Sequence, residues 1–280
     1  MSLSRASFEF VRTALRQRSG HHLEDDKVYL VVTRLLPVAR RHGFESVEDL
    51  VLRLRSRGNE MLLREMVEAM TINETFFFRD GQPFEVLRQT VLPELVRRRA
   101  EVRSLNIWSA ACSSGQEPYS MAILLRQHFP ALSGWNVRLI ASDLSGAMLE
   151  RARRGWYSEL ETSRGLSPEL LEVYFQKQGV SWQIRDDLRR MVEFLSINLS
   201  GAWPELPPLD LVLLRNVLIY FDVLTRQQIL DRVRKVLQPD GYLLLGGAET
   251  THNLDDGFLP VSFGQVSFFR PLSAVNDTPS

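Results

Sequence analysis

A short apolar strand that runs through small residues into a helix start constrains this chain more than any other feature. Residues 105–121 read LNIWSAACSSGQEPYSM, in which the apolar run gives way to Ala, Cys and Ser before Glu117-Pro118 opens a helix. Such a junction turns unpaired backbone N–H groups toward a bound ligand, as in nucleotide-type sites. Gly115 supplies the positive φ of a tight turn, and Pro118 suits the first helical turn, where its missing N–H costs nothing. The run lacks both the G-x-G-x-x-G spacing of dinucleotide binders and the Lys-Ser/Thr pair that holds phosphates. Alone it fits either a ligand loop or an ordinary strand-to-helix turn.

A second strand gives the loop its meaning. VRLIASD (137–143) ends in an acid, Asp143, about thirty residues after the first strand. In a doubly wound sheet an acid at that place accepts hydrogen bonds from a ribose diol. Capping of the helix that begins near Ser145 is an equal alternative, since Asp and Ser are both good caps.

Composition narrows the class. A chain of 280 residues with 44% apolar content buries one large core, or one core and a small helical domain. Lys+Arg and Asp+Glu both number 34, so no net field draws nucleic acid or anionic lipid. Cys112 is the single cysteine, which excludes a disulfide-built fold, and with no His or Lys beside it in sequence it reads as a small packed residue. No signal-peptide core opens the chain, and the runs LDLVLLRNVLIYF and GYLLLGG are too short or too interrupted to span a bilayer. A cytoplasmic protein without membrane insertion is expected.

The chain divides into two parts. Residues 1–72 carry helical spacings (Phe8, Val11, Leu15; Tyr29, Val32, Leu35, Leu36; Leu50, Leu54; Leu62, Met66, Met70), which predict a helical domain of four short helices. Pro37 predicts a kink or break in the second of them. That helix also displays Lys27, Arg34, Arg40 and Arg41, either a solvated face or a docking surface for an acidic partner; composition alone favours the first. Residues 73–83 form a linker. The part from 84 to 271 alternates: helix 84–100, strand 105–109, helix 117–128, strand 137–141, helix 145–153, strands 191–196 and 210–214, helix 224–237 and strand 241–245. This order predicts an α/β fold with a doubly wound, mostly parallel sheet covered on both faces. FLPVSFGQVSFFR (258–270) predicts an antiparallel hairpin at its edge. Residues 155–190 read as an insertion with a short helix at Ser167-Pro168, and 272–280 as a flexible tail.

A parallel sheet that ends in an antiparallel hairpin, with an acid after its second strand, suggests the S-adenosylmethionine-dependent methyltransferase fold. Five blocks in order carry a sharper resemblance: MTINETFFFRD (70–80), WSAACSSGQEPYSMAI (108–123), ASDLSGAMLERARRGWY (141–157), FLSINL (194–199) with LVLLRNVLIYFD (211–222), and LQPDGYLLLGGAE (237–249). The chain resembles the CheR family, the chemotaxis receptor glutamate methyltransferases. The resemblance implies S-adenosylmethionine as cofactor, S-adenosylhomocysteine as product, no metal, and a small β insertion. It places Asn73, Thr75 and Arg79 of the linker in the cofactor pocket, Glu117 at the methionine moiety and Asp143 at the ribose. Asn198 and Leu199 then flank the adenine, and Arg215 and Asn216 close the far side. Helix capping competes for Asn73 and Thr75, and interface packing is the expectation for Phe76 to Phe78.

Glutamate methylation asks for alignment rather than proton transfer, because the carboxylate is already ionised near neutral pH and the methyl sits on a sulfonium. Arg79 and Tyr220 are the candidate catalytic residues: Arg79 steers the carboxylate, and Tyr220 orients an oxygen or is simply structural. The expected partner is the cytoplasmic helical region of a methyl-accepting chemotaxis receptor, docked through Arg34 and Arg40. Pro37 and Val38 stand where the family has further basic residues. The insertion is short, with Gly179 the only glycine between Tyr174 and Phe194, so no tether to a receptor's carboxyl-terminal pentapeptide is expected. Two alternatives differ in class. One is an amino-group or nucleic-acid methyltransferase, which the segment NVLIY suggests but its lack of paired prolines and the zero net charge oppose; the other is a non-catalytic cofactor sensor or scaffold, which Arg79 and Tyr220 oppose.

Overall fold

The computed structural model describes residues 3–272. The tail expected from residue 272 lies, after Leu272, outside the described residues. The amino-terminal part holds α1 (Arg5–Ser19), α2 (Val28–Arg41), α3 (Val47–Arg57) and α4 (Glu60–Met70). The starts of α1, α3 and α4 are capped by Ser4, Ser46 and Asn59, whose side-chain oxygens accept from the N–H groups of Ser7, Asp49 and Leu62. Phe8, Val11, Leu15, Leu50, Leu54, Leu62 and Met66 meet in one core, as their spacing predicts.

Helix α2 differs from expectation in phase and in continuity. Its buried stripe is Val31, Leu35, Val38 and Ala39, and Tyr29 stands 65% exposed. The run VYLVV is apolar all round, so period alone does not fix which side turns inward. The helix also runs unbroken through Pro37. Both Pro37 and Thr33, whose carbonyl loses its partner, lie on the exposed side, where a missing helical bond costs least because the carbonyl is open to solvent.

The remaining elements build the sheet and its cover. In chain order they are α5 (Gln82–Val86), α6 (Leu92–Arg98), β1 (Ser104–Ala110), α7 (Gln116–His128), β2 (Asn136–Asp143), α8 (Gly146–Arg154), β3 (Trp156–Ser158), α9 (Glu159–Ser163), α10 (Pro168–Tyr174), β4 (Phe175–Gln178) and β5 (Ser181–Ile184). Next come α11 (Asp186–Arg189), β6 (Val192–Ser196), β7 (Leu209–Leu214), α12 (Val223–Val236), β8 (Leu237–Leu245), β9 (Phe258–Phe263) and β10 (Val266–Pro271). One π turn, Leu87–Val91, joins α5 to α6 just before Pro93. There the Leu92 N–H reaches the Leu87 carbonyl, a widening that seats a residue without an N–H.

The seven-stranded sheet has the order β6-β2-β1-β7-β8-β10-β9, parallel from β6 to β8 and antiparallel through β10 and β9. Alternation along the central strands separates two cores. Ile107, Leu211, Leu213 and Leu244 pack with α7 on one face, and Trp108, Val212, Leu214 and Leu243 pack with α12 on the other. The insertion forms a separate three-stranded antiparallel sheet, β3-β5-β4, and Ser167 caps α10 through the Leu170 N–H. Phe77 of the linker is buried edge-on against Tyr157 and Phe175 of that insertion, at 5.0 and 5.4 Å, inside the methyltransferase part.

Candidate active site

Strand order reverses at β1, which has β2 on one side and β7 on the other. Ligands of open α/β sheets bind at such a switch point, beyond the carboxyl ends of the strands. Here the loops after β1, β2, β6 and β7 meet the start of the linker, with Thr71 and Ile72 before it, and the Ser19–His21 end of α1 around one cleft. Asn73, Thr75, Arg79, Glu117, Asp143, Asn198, Leu199, Arg215, Asn216 and Tyr220 all line it. Arg34 and Arg40 do not.

The loop after β1 is bent by force. Ala111, Ser113 and Gly115 have φ of 56°, 50° and 94°, and two of the three are not glycine. A Cβ on Gly115 would approach Ala152 Cβ at 2.9 Å, so this position needs glycine twice over, for φ and for space. Asp143 holds the bend, accepting from the Ser113 N–H at 2.7 Å and the Ser145 N–H at 2.9 Å. Ser145 itself caps α8 by accepting from Met148, so Asp143 is not the cap but the tie between two loops. Burial pushes its carboxyl above the usual range, against the pull of those N–H groups. Each oxygen keeps one further lone-pair site for a ligand. Cys112, also buried, has its thiol pushed well up by burial and is no nucleophile.

Charge concentrates opposite. Arg215, 6% exposed, donates to Glu117 at 3.0 Å, to Asp80 at 2.6 Å and to the Arg79 carbonyl at 2.9 Å. Glu117 also accepts from the Ser109 hydroxyl at 2.8 Å. The linker is fixed by Ser113, whose hydroxyl donates to the Asn73 carbonyl at 2.9 Å, and by Ser120, which accepts from the Phe78 N–H at 2.9 Å. Arg79 donates to the Glu74 carbonyl at 2.8 Å and lies over Phe76. Tyr220 ends a short 3-10 turn, and burial raises its hydroxyl pKa, opposed by Arg79 and Arg34.

Three groups carry no clear local mark in the sequence: His21, which lines this cavity, and Glu249 and Asp80, which lie behind its wall and hold Asn216 and Arg215. Glu249 accepts from the N–H groups of Asn216, Val217, Leu218 and Gly246 at 2.7–2.8 Å. It thereby sets Asn216 in the left-handed region (φ 58°) and shapes the turn that carries Tyr220. The block LQPDGYLLLGGAE ends on this acid, which is the available signal. Asp80 pairs Arg215 from the linker. His21 reaches the cavity from the helical domain, which no local pattern marks.

The two docking candidates part company. Arg34, partly buried, donates through Nη1 to the carbonyls of Met70 and Thr71, both at 2.7 Å, and so ties α2 to the end of α4 just before the linker. Arg40 is exposed. Among the described residues no group of three or more His, Cys, Asp or Glu is placed to hold a metal ion, and no helix is long and apolar enough to cross a membrane.

Comparison with known proteins agrees with this geometry. Residues 6–71 match the all-alpha domain of CheR methyltransferases, and residues 73–265 match their SAM binding domain. Chemotaxis protein methyltransferase 1 of Pseudomonas aeruginosa is 44% identical over 96% of this chain and 99% of its own length. Chemotaxis protein methyltransferase Cher2 of Pseudomonas putida is 40% identical over 92% and 95%, and chemotaxis protein methyltransferase 1 of Vibrio cholerae 40% identical over 87% and 89%. With both family models matched over almost its whole length, this chain is a member of the CheR family of S-adenosylmethionine-dependent chemotaxis methyltransferases.

Proposed function

We propose that this protein methylates glutamate side chains in the cytoplasmic helical region of methyl-accepting chemotaxis receptors, giving methyl esters, and that it acts in the cytoplasm. The observation that carries the reading is that Arg79 and Tyr220 both line this cavity, near enough for the Arg79 charge to act on the Tyr220 hydroxyl. Two such donors suit a carboxylate. An amine would instead need acceptors and a base to take its proton.

The cavity fits the cofactor in its distribution of charge. Asp143 and Glu117 offer acceptor oxygens to a diol and an ammonium, and Arg215 offers a cation to a carboxylate. Asn73 and Thr75 line the pocket from the linker, Asn198 and Leu199 flank the adenine, and Asn216 closes the far side. When bound, S-adenosylmethionine would supply an electrophilic methyl group on its sulfonium, the S–CH3 bond breaking as the new bond to a carboxylate oxygen forms, with S-adenosylhomocysteine as the leaving thioether and no proton transferred. Arg79 and Tyr220 then align the substrate carboxylate, and the linker and the 216–220 turn exclude water around it. Alignment of this kind can supply about 7–11 kcal/mol of the barrier reduction.

Docking falls to the exposed face of α2, with Arg40 meeting acidic receptor surface. Tyr220 and Arg79 separate binding from chemistry. Tyr220→Phe lowers turnover and leaves cofactor affinity nearly unchanged, whereas Arg79→Ala damages both. The substrate itself is tested with methyl-labelled cofactor and a receptor cytoplasmic fragment. Label should enter the intact fragment and fail to enter one whose candidate glutamates are changed to alanine; equal labelling of both would refute the assignment.

A further inference from the structure

The chain that leaves α1 crosses the cavity as a strap. The His22 N–H donates to the Tyr220 carbonyl at 2.8 Å, and His21 forms an isolated antiparallel bridge with Phe221. Gly20 is so close to Ser200 that a Cβ there would stand 2.6 Å from the serine Cβ. The imidazole of His21 lies against the rings of Tyr220 and Phe221, at centroid distances of 5.8 and 5.3 Å, and lines the cavity.

Two hydrogen-bond inventories meet at this strap. Asn198, the residue placed beside the adenine, has its amide largely committed within the protein. Its Nδ2 donates to the Arg18 carbonyl at 2.7 Å, and its Oδ1 accepts from both the N–H and the hydroxyl of Ser200, at 3.1 and 2.9 Å. The oxygen is saturated and one N–H remains. His21 shows the opposite balance: its Nδ1 is buried and has no hydrogen-bond partner among the described residues. A buried polar atom left unpaired is costly and calls for a partner that the protein does not itself supply. The ring is neutral at physiological pH, since burial pushes its pKa down to about 4 despite the nearby Ser19 carbonyl.

Adenine presents an amino donor beside a ring-nitrogen acceptor. The spare Asn198 N–H answers the acceptor, and nothing on Asn198 answers the donor. We infer that His21, reaching over from the helical domain, accepts a hydrogen bond at Nδ1 from the exocyclic amino group of the cofactor's adenine, and so makes the helical domain part of the adenine-reading site. This rests on the proposed placement of the cofactor. The proton then sits on Nε2.

Binding of two product analogues tests it: S-adenosylhomocysteine, and its 6-deamino purine analogue, which lacks the exocyclic amino group and keeps the ring-nitrogen acceptors that Asn198 would read. Calorimetry on the wild-type protein should show the adenosyl compound bound about tenfold more tightly, and His21→Ala and His21→Phe should each erase most of that preference. His21→Phe keeps a ring against Tyr220 and Phe221 should the smaller side chain fail to fold. Asp143→Ala should weaken both compounds alike, which tests the placement independently of His21. Absence of discrimination by the wild type, discrimination that survives both His21 variants, or equal loss of both compounds in them would each overturn the inference, the last by showing a structural role. If Asp143→Ala changes neither affinity, the placement fails and the inference with it. None of these readouts depends on which substrate receives the methyl group.

Discussion

Single residues at and behind this cavity act through the backbone as much as through side-chain chemistry. Glu249 gathers four N–H groups and thereby shapes the turn that ends in Tyr220. Glu249→Ala should cost about 1–3 kcal/mol in stability and lower turnover more than cofactor affinity, and Glu249→Gln should not restore it, because an amide turns a donor toward an N–H. Parallel denaturation and steady-state kinetics check this; unchanged turnover in the folded alanine variant would contradict it. His21 carries a pH signature as well. Its folded pKa, about 4, lies below the ordinary value of 6.5, so between those values the unfolded chain binds a proton that the folded chain refuses. Stability therefore falls as pH drops from about 6.5 to 4, by up to about 3 kcal/mol from this group. Unfolding free energies of wild type and His21→Phe across pH 4–7 should converge toward acid; a constant difference would exclude the contribution. Asp143 and Glu117 stand out in the sequence because an acid after a strand and an acid at a helix start are local patterns. His21 and Glu249 do not, because their partners lie some 200 and 30 residues away in the chain.

Elements differ in how plainly the sequence announces them. Strands β1, β2 and β7 and helices α7 and α12 emerge from short apolar runs and turn residues, the strands as near-continuous apolar runs because a parallel sheet covered on both faces buries successive residues alike. Helix α2 is legible in its place but not in its phase, because Tyr29, Val32 and Leu36 are as apolar as the residues that face inward. The π turn before Pro93 has no periodic signature. Arg34 shows the consequence of phase: it fastens Met70 and Thr71, just before the linker. Arg34→Ala should lower stability by about 1–3 kcal/mol and weaken cofactor binding, while Arg40→Glu should leave both intact and reduce receptor methylation, more so at low salt. Thermal melts, cofactor titrations and methylation assays separate the two; equal effects of both variants would contradict the division. The insertion bears a second expectation. Its β4–β5 hairpin closes through Gly179 and Val180 alone, which supports the expectation that a receptor-type carboxyl-terminal pentapeptide does not bind measurably. Micromolar binding of that peptide would refute it.

At the scale of the molecule, the site belongs to neither part alone. The sheet supplies the switch point, the linker lies across it, and the helical domain closes it through Asn198 to Arg18, His22 to Tyr220 and Ser145 to Glu68. The mostly parallel sheet and its antiparallel edge are legible because alternating strand and helix patterns admit few topologies. The closure is not, because contacts between two parts depend on side chains that each part's own periodicity leaves unspecified. The cavity's chemistry leads to one central claim, that the methyl group ends on a carboxylate oxygen. Carboxyl methyl esters hydrolyse in alkali, and methylamines do not. A receptor fragment labelled by this protein from methyl-labelled S-adenosylmethionine should release its label as volatile methanol when made alkaline; label that stays on the fragment through that treatment would contradict glutamate esterification.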